Sequence, residues 1–381
     1  MKKRMVSIAV CAVMLLTFSQ MTSANSGGDP LPAELKHTGE KKVYTLSLKD
    51  AIAMAREKDP AFMSADVKIK DAERQLVQAR KNKSDMEGIP IRVSQGVTSF
   101  ALQRGYFVKQ AEVGVESAKK EKEQKIANSA YSVTQQYFAV KLSERVLGSA
   151  KTGLDMAKNN FETVKMQFSL GLVSELDVKN AELAVKQAQS TYDKYERTLT
   201  LARKSLVVAL FIDEDNFELN LTDDIEYKDF SADLSKDTES AMKTRYDVYM
   251  LESSFSLAEF MADIADLYGG TSSEYSSANQ ARVQSEVTCN NSKKMIAVSI
   301  NSSYNAILDA RDALAVAEDK LALRQQEYSV ACIQLELGLI TNTQLTAIMS
   351  NVTAAQIELD NSKLTYKLAV EKYGYDTTIG L

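Results

Sequence analysis

The sequence predicts an all-α fold, a tandem repeat of long antiparallel coiled-coil helical hairpins. Three observations carry that reading. First, the 381 residues include only 15 Gly and 4 Pro, and these are the residues that interrupt regular structure. Second, apolar residues recur at alternating spacings of three and four through two long stretches, the seam of a helix packed lengthwise against another. Third, the second half of the chain repeats the first at an offset of 167 residues.

The elements follow in order. Lys2, Lys3 and Arg4 precede an apolar stretch from Met5 to Phe18, and Thr22-Ser23-Ala24 offers small residues for cleavage. This reads as a secretory signal peptide over residues 1–24, too short to span a bilayer comfortably. Residues 25–44, polar and with Gly27-Gly28 and two prolines at their start, are expected to form a flexible leader. The first hairpin repeat then occupies 45–210, with an opening helix over about Leu48 to Lys81. Its first long helix has seam residues Ile126, Ala130, Val133, Tyr137 and Val140, then Leu147, Ala150, Leu154, Ala157, Phe161, Val164 and Phe168. From Tyr106 to Phe168 the only punctuating residues are Gly114, Gly148 and Gly153, so the helix should run ~95 Å at ~1.5 Å per residue.

A second seam starts at Ala181 and runs through Val185, Ala188, Tyr192, Tyr195, Leu199, Ala202 and Leu206 to Ala209. Between the two lies Ser169-Leu170-Gly171-Leu172-Val173-Ser174. Gly171 suits a left-handed C-cap, and Ser174 with Asp177 three residues on suits a capping box. Two long antiparallel helices therefore meet in a tight turn. Residues 211–237 are an acidic linker, in which Phe217-Glu218-Leu219-Asn220-Leu221 alternates as a short strand does. The second repeat fills 238–381, with an opening helix over about Thr238 to Asp266.

The repeat is visible at many positions. Leu170-Gly171-Leu172 recurs as Leu337-Gly338-Leu339, Tyr137 as Tyr304, Leu154 as Leu321 and Asp193 as Asp360. The seams coincide as well, and so does a break in them, because Glu144, Leu147 and Ala150 share their unusual spacing of three with Arg311, Leu314 and Ala317. Such a stammer overwinds a supercoil locally. Glu144 and Arg311 thus occupy equivalent positions with opposite charge. They are either two solvated charges, the favoured reading, or an ion pair between neighbouring repeats.

Composition excludes several function classes. A single histidine, His37, leaves no room for imidazole triads or histidine-rich metal sites. No phosphate loop or metal-ligand cluster emerges, so no enzyme and no cofactor is expected. The chain carries a net charge of −5, more acidic once the basic signal is removed, which disfavours nucleic acid as a partner. Cys289 and Cys332 fall mostly along one helix, ~60 Å apart, and should not pair.

With the duplicated hairpin, the opening pattern Leu46-x-Leu48-x-x-Ala51-Ile52-x-x-Ala55-x-x-x-Asp59-Pro60 and the turn Gly171-Leu172-Val173-x-x-x-Asp177-Val178, the chain resembles the TolC family of outer-membrane efflux proteins. Arg245-Tyr246-Asp247 stands where the family has Arg-Pro-Asp. The resemblance covers about Thr45 to Gly380. It implies a homotrimer whose six hairpins close a hollow α-barrel, and a passive conduit serving efflux or type I secretion across the cell envelope. It also implies that the tips, Leu170, Gly171, Leu172 and Val173 with Leu337, Gly338, Leu339 and Ile340, contact a periplasmic adaptor and an inner-membrane pump.

Two departures from the family are expected. The family's membrane strands should fall at about Lys83 to Arg104 and Leu267 to Asn290. A membrane strand needs ~9–11 alternating residues. Ile89-Pro90-Ile91-Arg92-Val93 alternates only briefly, and Gly269-Gly270-Thr271-Ser272-Ser273-Glu274 is polar. The membrane β-barrel is therefore read as reduced or absent, with both segments as mobile loops, and the site of action as the outer membrane or, without a barrel, the wall or periplasm. At the tip, the family's acids six and nine residues after the second glycine are Gln344 and Ala347 here, and its basic latch is Ile340. The pore entrance would then carry one Asp177 per chain with Gln344 as its neutral counterpart. A structural or adhesive coiled-coil protein of the cell surface is the alternative function.

Overall fold

The computed structural model describes residues 42–90, 96–212, 217–268 and 272–380, which hold nine helices and one two-stranded sheet. The signal segment, the leader as far as residue 41 and His37 lie outside the described residues, as do Ile91 to Val93 and residues 269–271.

Strand β1 (Lys42–Leu46) pairs in parallel with β2 (Phe217–Leu221), with Leu46 beside Leu221. The alternating segment of the linker is thus a strand. Its partner includes Lys42, Val43 and Tyr44, which the sequence reading places in the flexible leader. Pairing satisfies the backbone of both segments and buries Leu46, Leu219 and Leu221.

Ser47 and Asp50 form a capping box that starts α1 (Leu48–Lys58). Asp59 then caps α2 (Pro60–Asp85), in which proline holds the first position. The single opening helix expected from 48 to 81 is therefore two helices. Proline has no N–H to continue the ladder and disfavours the helical conformation in the residue before it. The second repeat breaks at the same place without proline, at Arg245, between α6 (Leu234–Thr244) and α7 (Tyr246–Tyr268).

The long hairpins are as expected. Helix α4 (Tyr106–Ser169) has 64 residues and α5 (Glu175–Ala209) has 35, while α8 (Ser272–Glu336) has 65 and α9 (Asn342–Asp376) has 35. Shifted by 167, both bounds of α5 fall on those of α9, and the end of α4 falls on the end of α8. Cys289 and Cys332 both lie on α8 and are free thiols.

The two segments read as loops are corrected. Gly96–Arg104 forms a short helix, α3, and residues 272–290 are the first turns of α8. Helix α3 is held because Ala101 is fully buried where α3 packs on α7. The polar start of α8 is held by its packing on α7, with Cys289 buried and Arg282 reaching Asn279 and Glu286. No glycine or proline lies between Gly270 and Gly338, a signal of the same kind that predicts α4.

Two apolar cores sit where the opening helices meet the hairpins. The first gathers Ala51, Ala55, Val133, Tyr137, Phe138, Val140, Leu206 and Leu210 with the sheet residues. The second gathers Ala241, Val248, Ile300, Ile307, Leu314, Leu359 and Tyr373. The first core also takes in Leu364 of α9, so the two repeats are joined through α4 and α9. Among the described residues no helix is long and apolar enough to cross a membrane.

Candidate functional site: hairpin tips and repeat flanks

Both tips are built alike. Gly171 and Gly338 have φ of 72° and 73°, a region costly for a residue with a Cβ. The N–H of Leu172 donates to Gln167 O and that of Gly171 to Phe168 O; Leu339 and Gly338 repeat the pattern on Gln334 and Leu335. These paired bonds satisfy the last carbonyls of α4 and α8 and reverse the chain. The predicted capping box then starts α5, with Ser174 Oγ accepting from the Asp177 N–H and the Asp177 carboxylate accepting from Ser174. That bonding holds the Asp177 carboxyl below the usual carboxylate range. Thr341 and Gln344 form the same box on α9.

Leu170, Leu172, Leu337 and Leu339 are exposed at these turns. The two tips lie side by side. Thr343 Oγ1 is 3.2 Å from Asn160 Oδ1, and a groove of about 620 Å³ between the hairpins is lined by Asn160, Val173, Asp177, Leu335, Ile340 and Thr343. Asp177 and Ile340 thus share one groove, with Gln344 on the following helix turn.

Glu144 and Arg311 are not brought together in the chain. Glu144 accepts from Arg203 of α5 at 2.8 Å, and Arg311 lies 3.4 Å from its neighbour Asp312. Among the described residues, an ion pair that does join the repeats is one the sequence reading missed. Arg145 of α4 donates to the buried Asp360 of α9 at 2.5 Å and also to Asp224 of the linker. The heptad pattern gives no sign of it, because Asp360 stands beside the seam residue Leu359 rather than in the seam.

The joint between the repeats explains what the chain leaves open. Tyr131 of α4 packs edge-on against Tyr375 of α9, with ring centroids 6.1 Å apart. Near the opening helices, Lys120 of α4 lies 5.5 Å from the Tyr249 ring of α7. Glu371 and Tyr375, on the α9 face at this joint, are both pushed above their ordinary values chiefly by burial.

The repeat maps these contacts onto surface residues. At the 167-residue offset, Tyr131 corresponds to Val298 and Tyr375 to Val208, while Lys120 corresponds to Val287. Tyr249 corresponds to Met63, since α7 starts 186 residues after α2. These four residues are exposed, Val298 at 61%, Val208 at 73%, Val287 at 49% and Met63 at 74%. Where α9 is covered by α4, the equivalent face of the first repeat is an open groove of about 840 Å³ that includes Lys125, Ser129, Leu201, Val208 and Phe211. Along α8, Val316, Leu323 and Val330 repeat every seventh residue and are all exposed, and Leu337 just past its end continues the series. One flank of the chain therefore presents the α2 and α5 half of a joint, and the other presents the α8 half.

The sequence matches no family model and no curated protein. The structure is similar to several solved ones. The CmeC outer membrane channel of Campylobacter jejuni has a TM-score of 0.69 at 12% identity, over 87% of this chain and 85% of that one. The outer membrane protein VceC of Vibrio cholerae has 0.65 at 12%, over 88% and 97%. The MtrE outer membrane channel of Neisseria gonorrhoeae has 0.63 at 13%, over 87% and 89%. At such identities the likeness is one of fold, and the chain has the fold of these outer membrane channels, the TolC-type fold that its sequence resembles.

Proposed function

We propose that the chain is the passive conduit of an efflux or secretion assembly in the cell envelope, formed by copies of itself closed into a ring. The observation that carries this is the pair of unmatched flanks. Each flank exposes apolar residues where the chain's own repeat joint has partners, and one flank complements the other. Contacts of this head-to-tail kind generate rings when the rotation closes. The resemblance suggests three chains, six hairpins in all, around a central passage.

The tips serve as the docking end in this reading. Their exposed leucines would meet a periplasmic adaptor of an inner-membrane pump, which would supply energy and substrate choice. Asp177 would face the entrance as one carboxylate per chain, beside the neutral Gln344. The structural or adhesive reading has one observation in its favour, the helical α3 and the helical start of α8 in the segments that correspond to the family's membrane strands.

Sedimentation velocity of the mature protein, with negative-stain microscopy of the largest species, tests the proposal. Ring-shaped particles of about three chains are expected. A monomer at micromolar concentration, or open filaments, would refute it.

A further inference from the structure

The ring reading makes two kinds of seam, one within each chain and one between chains. We infer that the seam between chains is the electrostatically strained one, a joint of like charges that rising salt tightens. The inference rests on the ring reading and deepens it by giving the character of its interface.

Within the chain, the seam between α4 and α9 is charge-balanced. Arg145 and Lys363 face Asp360, with Asp224 added from the linker. The guanidinium of Arg145 is shared by both aspartates. A buried carboxylate such as Asp360 is tolerable only with such a partner.

The equivalent positions between chains have different chemistry. At the 167-residue offset, Arg145 corresponds to Asp312 and Thr152 to Asp319 on α8. On α5, Asp360 corresponds to Asp193, Lys363 to Glu196 and Thr353 to Lys186. The arginine–aspartate bridge is thus replaced by an aspartate against an aspartate, with two further acids beside it. Lys186 is already engaged by Glu182 at 2.7 Å.

The charges nearest these positions do not remove the local imbalance. Arg311 lies next to Asp312 and is exposed, and on α8 Lys320 is taken by Glu358 and Arg324 by Glu327. On α5, Lys194 lies over the Tyr195 ring. Arg197 and Asp309 correspond to Leu364 and Leu142, which belong to or pack on the first core, and across the seam they form one compensating pair. Around these positions four acids then face Lys186 and Arg311, where the matching pocket within the chain has two charges of each sign; Lys204, the counterpart of Glu371, and Lys125 lie farther along, in the groove beside Val208.

Two consequences follow. Apolar contacts such as Val208 on Val298 must hold the chains together against this repulsion, so association is weaker than the repeat joint. Screening the repulsion should strengthen it, whereas salt weakens an interface held by opposite charges. Seams of the two kinds would alternate around the ring, and opening would occur between chains rather than within them.

The test is sedimentation equilibrium of the mature wild-type protein and of Asp312→Arg, from about 50 to about 300 mM sodium chloride, a range over which screening changes strongly. The substituted arginine takes the place of Arg145 and meets Asp193. Asp312 is exposed and paired only weakly, so the chain should fold normally, and circular dichroism confirms that. Wild-type association should tighten several-fold as salt rises. Asp312→Arg should associate about tenfold more tightly at low salt and lose that advantage as salt rises. Val208→Asp should weaken association in both backgrounds. Assembly that salt loosens in the wild type, or that Asp312→Arg and Val208→Asp leave unchanged, would overturn the inference while leaving a ring. Failure of every variant to assemble at any salt would overturn the ring reading itself.

Discussion

Replacing Tyr137 with phenylalanine should destabilise the chain by about 2–4 kcal/mol. The ring of Tyr137 is fully buried in the first core. Its hydroxyl donates to Leu46 O at 3.0 Å and accepts from the Asp223 N–H at 2.9 Å, fastening β1 and the linker to α4. Without it, Leu46 O still accepts from the Thr222 N–H at 3.1 Å, but the Asp223 N–H has no acceptor. An orphaned donor costs about 1–3 kcal/mol and the lost bond about 1 more. The second repeat supplies the control. Tyr304 occupies the equivalent place, packs on Phe230 and Tyr373, and its hydroxyl makes no hydrogen bond among the described residues. Tyr304→Phe should stay within about 0.5 kcal/mol of wild type. Urea unfolding followed by circular dichroism at matched protein concentration measures both. Equal midpoints for the two variants would mean that the Asp223 N–H finds water, and would refute the claim that Tyr137 locks the sheet.

Three further outcomes are expected. Gly171→Ala should cost about 1–2 kcal/mol, because φ is 72° and no neighbour lies within 4 Å of the added Cβ, so the whole effect is backbone strain. Urea unfolding checks it, and Gly171→Asn should cost less. Arg245→Ala should cost about 3 kcal/mol, since the buried guanidinium bonds both carboxylate oxygens of Asp247 and the Asp376 carbonyl; a loss below 1 kcal/mol would mean that water replaces it. Burial raises the folded carboxyl of Glu371 above its ordinary value, with Lys367 opposing weakly. The stability this gives is full below the ordinary glutamate range and is lost as pH rises through the folded value. Glu371→Gln should therefore stabilise the chain at neutral pH and gain little in acid, as thermal melts across pH would record.

The hairpins and tips were legible because their signals are local. Heptad spacing fixes which face of α4 and α5 packs, while Gly171, Ser174 and Asp177 fix the turn within a few residues. The helical start of α8 was hidden by its chemistry. Serine, asparagine and glutamine dominate residues 272–291, and such residues favour caps and loops when nothing else acts. Packing on α7 overrides that preference. Strand β1 was hidden for a different reason, since its partner lies 175 residues away and no local pattern announces such a pairing.

The flanks required both the sequence and the fold. In the sequence, Val208 and Val298 are unremarkable apolar residues of two helices, and scattered exposed valines need no explanation. Their meaning comes from Tyr131 and Tyr375, whose contact identifies positions that meet when one repeat lies beside another. The same comparison turns Asp193 and Asp312 from solvated charges into an opposed pair. Duplication supplied both joints with one geometry, and divergence then gave them different chemistry. A single-residue test follows from that difference. Cysteines at 208 and 298 in a chain lacking Cys289 and Cys332 should crosslink between chains under mild oxidation, since counterpart positions already meet within each chain. Cysteines at 131 and 375 should crosslink only within one. Denaturing gels separate the two products by mass, and a 208–298 bridge that left the chain at monomer mass would show that the second repeat folds back on the first.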